Sequence, residues 1–133
     1  MRGAHGFDAG VGCRKGASAA DIGAVIGAAL ARAGFATQAL DLIAAPELKR
    51  GEQGVATAAA ALGVPLVLIA EADLKAAGAR AETRSERVLA LTGIASVAEA
   101  AALAGGGPTA RLIVPRIAVG SATCALAVSE ERS

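Results

Sequence analysis

Cys13 lies in the stretch AGVGCRKGAS, Ala9 to Ser18, with Gly10, Gly12 and Gly16 around it and Arg14 and Lys15 directly after it. Four chemistries are compatible with such a stretch: a phosphate loop, a dinucleotide turn, a reactive thiol, or a tight strand-to-helix connection. The G-x-G-x-x-x-G spacing is one residue out of register with the dinucleotide fingerprint, and the lysine–serine ending of a P-loop is absent. An acid about 20 positions on would support a dinucleotide, but Asp41 lies well beyond that point. What remains is a preference for anions. Glycines let the backbone turn sharply and approach a ligand, and a helix N-terminus favours negative charge. Arg14 and Lys15 would add charge-assisted hydrogen bonds. Cys13, beside two cations and near a helix start, could have a depressed pKa and act as a nucleophile. The competing reading is a small, half-buried residue under the turn, since the sole histidine, His5, sits in a segment expected to fray.

Two further groups have chemical potential. Lys49-Arg50-Gly51-Glu52 joins a strand to a helix, so in a parallel sheet it would share the carboxyl edge with the glycine loop, where open α/β folds bind ligands. It also reads as a solvated charged turn with Glu52 well placed at a helix start. Ser96 and Glu99 have capping-box spacing, which accounts for both residues, while the capped N-terminus could still present amides to a ligand. Cys124, within TCALAV, reads as core strand. One histidine and scattered carboxylates make no metal-ligand set, and no cofactor motif is present.

The elements that would position these residues follow from periodicity. Ile22, Val25, Ile26, Ala29, Leu30 and Ala33 share one helical face, with Ser18 as N-cap, Asp21 at the capping-box position and Gly34 as terminator. Ala4–Val11 is expected as a first strand, weak by composition, and Thr37–Ile43 as a second. Pro46 breaks the chain, Glu52–Leu62 is a helix, and the apolar run Pro65–Ala70 reads as a strand covered on both faces. A short helix over Glu71–Ala77, a basic loop over Gly78–Glu86 and a helix over Ser96–Ala104 follow. Val88–Leu91 fits a helical turn or a strand. Gly105–Pro108 reads as a turn, and Arg111–Pro115 and Thr123–Ser129 as a terminal hairpin. The alternation predicts one three-layer α/β/α domain over residues 1–133, with a mainly parallel or mixed central sheet and a frayed start over residues 1–8.

Composition narrows the function. The chain is 54% apolar but only 2% aromatic, which argues against stacking on exposed bases, and a net charge of +1 gives no footprint for nucleic acid. VPLVLIA, the most apolar run, is too short to cross a bilayer, and the N-terminus has no signal-peptide core. Two distant cysteines fit a reduced, cytoplasmic protein without a disulfide.

GVGCRKGAS at 10–18, LKRGEQG at 48–54, SERV at 85–88, GIASVAEAAAL at 93–103, and IVPR followed by SATCALA near the end together resemble the cobalamin-biosynthesis CobE family, which is also the C-terminal domain of CbiG. Arg116 stands where the family pattern leads one to expect lysine. The resemblance implies an α/β/α domain that binds a precorrin or corrinoid intermediate. The matching positions are Gly10, Gly12, Cys13, Arg14, Lys49, Glu52, Ser96 and Glu99. Gly10, Gly12, Arg14, Lys49, Ser96 and Glu99 would then hold a tetrapyrrole ringed with carboxylates, the glycine loop supplying amides. Two other roles remain open on the same resemblance. One is hydrolytic opening of the cobalt-precorrin-5A lactone with loss of a two-carbon unit, with Cys13 as nucleophile or Glu52 as general base. The other is a non-catalytic accessory subunit for another enzyme of the pathway.

Overall fold

The computed structural model describes residues 7–82 and 96–129. Strands β1 (Phe7–Cys13), β2 (Leu40–Pro46), β3 (Leu66–Ile69), β4 (Ala110–Val119) and β5 (Ala122–Ser129) form one sheet in the order β3-β2-β1-β5-β4. β1 pairs in parallel with β2, and β2 with β3, whereas β5 runs antiparallel to both β1 and β4. The sheet is therefore mixed, and β5 alone runs against the others.

Alternation along the strands divides the core in two. Val11, Ile43, Cys124 and Leu126 face helices α1 (Ala19–Ala33) and α2 (Gln53–Leu62), where Ile22, Val25, Ile26, Leu30 and Val55 fill the space. Ala44, Ala125 and Ala127 face helices α3 (Glu71–Gly78) and α4 (Val97–Gly106), with Leu74, Ala98, Ala101, Ala102 and Leu103 opposite. This is the expected three-layer α/β/α domain.

The second face is built from small residues so that α4 can lie close to the sheet. A Cβ at Gly10 would collide with the backbone of Ala98 and Ala102, and one at Gly105 would meet the Ala44 side chain at 2.9 Å. Gly10 is thus buried beneath α4 rather than presented to a ligand. The alanine-rich composition serves the same close approach.

Several boundaries differ from the sequence expectation. β1 extends through Gly12 and Cys13 because β5 pairs with it as far as Cys13–Ala122. Thr37–Ala39 forms a 3-10 turn, so β2 begins at Leu40 and ends with Pro46, and Glu47–Lys49 is a second 3-10 turn. β3 is an edge strand with Leu66, Val67 and Leu68 half-buried, not a central one. Gly105 and Gly106 complete α4, and Gly107, at φ 90°, terminates it. His5, the SERV segment, Val88–Leu91 and the start of GIAS lie outside the described residues.

Candidate functional site

The carboxyl ends of β1 and β2, the N-terminus of α4 and the β4–β5 hairpin enclose a cleft of about 380 Å³. Gly12, Cys13 and Arg14 supply one side, Lys49 a corner, Ser96 to Ala98 the helix end, and Arg116 with Gly120 to Thr123 the opposite wall. The volume lies within the range of small-ligand sites. Much of the lining is apolar, from Val97, Ala98, Ala118 and Ala122.

Each side chain reaches the cleft for a local reason. Arg14 leaves β1 at its last turn, where its N–H donates to the Ser121 carbonyl at 3.0 Å and anchors the loop to the hairpin. Gly12 forms the floor, since a Cβ there would meet Thr123 Oγ1 at 2.8 Å. Lys49 is carried by the 3-10 turn that Pro46 begins. Ser96 is buried and caps α4, its Oγ accepting the Glu99 N–H.

The hairpin turns through Gly120 at φ 57°, the first of two loop residues, where a II′ turn requires a positive φ. Asp21, in the first turn of α1, fixes that turn from outside. Its Oδ2 accepts both the N–H and the hydroxyl of Ser121, at 3.0 and 2.8 Å. These two hydrogen bonds hold the Asp21 carboxyl below its ordinary value, against a small opposing effect of desolvation.

Three cations border the cleft: Arg14, Lys49 and Arg116. Among the described residues none of the three pairs with a carboxylate. With the N-terminus of α4 beside them, they make the cleft receptive to anions. Arg116 belongs to the IVPR motif, yet periodicity alone did not assign it to a site.

Of the residues expected at the site, Gly12, Cys13, Arg14, Lys49 and Ser96 meet in the cleft, and Gly10, Glu52 and Glu99 do not line it. Glu52 turns to the glycine loop, its Oε1 accepting the Gly16 N–H at 2.8 Å. Gly54 lets α2 approach the same loop, because a Cβ there would strike the Ala17 carbonyl. Three of the loop amides expected to face a ligand are engaged within the protein. Arg14 donates to Ser121, Gly16 to Glu52, and Ala17 to the Arg14 carbonyl. What the loop contributes to the cleft is the Arg14 side chain.

Cys13 is half-buried, as the second of its two expected readings has it. Burial raises its thiol pKa above the ordinary value; the Lys49 ammonium opposes that and the Glu52 carboxylate adds to it. The direction is opposite to the lowered pKa that an activated nucleophile would need. Cys124 is pushed up to about 12 by burial. Among the described residues no group of His, Cys, Asp or Glu could hold a metal ion, and no helix is long and apolar enough to cross a membrane.

Comparison with known proteins decides the family. The family model described as "Cobalamin synthesis G C-terminus" matches residues 8–127. The chain belongs to the CbiG C-terminal family. Its place is accordingly in cobalamin biosynthesis. Protein CobE from Sinorhizobium sp. is 39% identical over 122 residues, covering 92% of this chain and 79% of that protein. The crystal structure of CobE, a protein from the cobalamin biosynthetic pathway, superposes with a TM-score of 0.86 at 36% identity, covering 95% of this chain and 92% of that one. The cobalamin biosynthesis protein chiG from Agrobacterium tumefaciens gives a TM-score of 0.75 at 41% identity, covering 94% and 99% of the two chains.

Proposed function

We propose that this CbiG C-terminal family protein binds a precorrin or corrinoid intermediate by its peripheral carboxylates at the cleft between β1, α4 and the β4–β5 hairpin. The observation that carries this reading is the convergence of Arg14, Lys49 and Arg116 on one small, largely apolar cleft. Such a cleft suits one edge of a flat ring system, with the ring against Val97, Ala98 and Ala118 and its acid groups at the guanidinium and ammonium groups. Arg14 and Arg116 can each engage a carboxylate through two parallel hydrogen bonds; Lys49 acts as a point charge.

Binding is favoured over covalent catalysis by the state of the two residues expected to carry the chemistry. Burial pushes the Cys13 thiol up, and one oxygen of the Glu52 carboxylate accepts the Gly16 N–H. The test is an absorbance titration with a tetrapyrrole that carries free carboxylates, run beside its methyl ester. The acid should shift the spectrum and saturate, and the ester should bind much more weakly. Equal binding of acid and ester would show that the cations do not recognise the ligand.

A further inference from the structure

Glu99 is wholly buried in the first turn of α4, and its carboxylate reaches beyond the helix to two other segments. Oε2 accepts the Arg116 N–H at 2.8 Å, and Oε1 accepts the Glu82 N–H at 2.6 Å. β4 leaves regular pairing at this point: Val114 opposes Leu126 and Ile117 opposes Cys124, so three steps along β4 match two along β5. Pro115 lies inside that bulge and has no N–H to donate. Bulges re-aim a side chain, and the one aimed here is Arg116, which lines the cleft.

We infer that Glu99 is a positioning residue which, by holding the bulged backbone at Arg116, sets where that guanidinium stands in the cleft. Its second oxygen ties the chain after α3 to the same wall through Glu82. A buried carboxylate that accepts two main-chain N–H groups is a firm link, because each bond is charge-assisted and the acceptor itself is shielded from water. The family-motif position of Glu99 thus reflects a contact one layer behind the ligand. The ligand half of this inference rests on the proposed binding function; the backbone half does not.

The test uses the whole protein. In the wild type the Arg116 and Glu82 amides should exchange slowly with deuterium and resonate downfield, as strongly hydrogen-bonded amides do. Glu99→Gln keeps the shape but turns one acceptor into a donor that faces an N–H. One of the two amides should then exchange at least about tenfold faster, the loss of one charge-assisted bond. Affinity for a carboxylate-bearing tetrapyrrole should fall by about tenfold, and Arg116→Ala in the Glu99→Gln background should add little. A merely structural role would instead give additive losses. Unprotected wild-type amides, unchanged exchange in Glu99→Gln, or additive losses would each overturn the inference. Should Glu99→Gln fail to fold, Glu99→Asp, shorter by one methylene, must show the same loss at one amide. If the wild type binds no such tetrapyrrole, the binding function fails, and the amide measurements still decide the Glu99 contact.

Discussion

Replacing Gly10 by alanine should damage the fold more than any chemistry. The added Cβ falls on the carbonyl oxygen of Ala98 and the amide nitrogen of Ala102, and lies 2.8 Å from the Ala102 side chain. Backbone atoms of a packed helix cannot swing aside as the end of a long side chain can, so α4 must lift from β1. Overpacking of this kind costs about 1–3 kcal/mol, and the involvement of backbone places Gly10→Ala at the upper end. For a domain of this size about 3 kcal/mol lowers Tm on the order of 10 °C. The control is the same substitution where it meets nothing. Gly27 lies mid-helix in α1 with no atom within 4 Å of an added Cβ, so Gly27→Ala should stabilise by about 0.5–1 kcal/mol. Thermal unfolding followed by circular dichroism reads both. A Gly10→Ala protein that melts within about 2 °C of the wild type would refute the close seating of α4 on the sheet.

Three more outcomes follow from the same geometry. Asp21→Ala should destabilise the protein at neutral pH, because the Ser121 hydrogen bonds stabilise the ionised carboxylate. The Asp21 pKa is lowered on folding, so its contribution is full above the ordinary value of 3.8 and is lost as pH falls through the lower folded value. Melting curves of the wild type and Asp21→Ala should therefore converge in strong acid, and a gap that persists there contradicts the assignment. Cys13 should alkylate slowly at neutral pH and faster only in the alkaline range, while Cys124 should react only on unfolding; rapid neutral-pH labelling of Cys13 would restore the nucleophile reading. Glu52→Gln should weaken ligand binding only modestly, by a few-fold, through looser seating of the loop that carries Arg14. A complete loss of binding on that substitution would mean that Glu52 meets the ligand itself.

The sequence pattern made α1 legible to its ends: the periodic apolar face is buried, Ser18 caps it and Gly34 closes it at φ 85°. The convergence of the glycine loop, the Lys49 turn and Ser96 also followed from chain order, because βα loops gather at one sheet edge. Other features depend on partners that no local window contains. In both apparent capping boxes the serine, Ser18 or Ser96, caps its helix as its position suggests. Their acids, however, reach across to the hairpin wall: Asp21 to Ser121, 100 residues away, and Glu99 to Arg116. The run Pro65–Ala70 looked central because a continuous apolar stretch does not distinguish an edge strand from a covered one. Gly10 looked like a loop glycine because alanine and glycine carry no periodic signal of close helix–sheet packing. Arg116 escaped assignment for a similar reason, as the bulge that aims it interrupts the alternation of β4.

The central claim is that Arg14, Lys49 and Arg116 act together as the carboxylate-recognising surface of the cleft. The most direct measurement is an absorbance titration of the wild type and of the Arg14→Ala, Lys49→Ala, Arg116→Ala triple variant with a carboxylate-bearing corrinoid, at low and high salt. Arg14 is exposed, Lys49 and Arg116 are half-buried, and none of the three pairs with a carboxylate among the described residues, so the variant should keep its fold. The account predicts a saturable shift for the wild type that weakens with salt, and a loss of at least about a hundredfold in affinity for the variant, each cation contributing about tenfold or somewhat less. Undiminished binding by the triple variant, or no shift with the wild type, would contradict it.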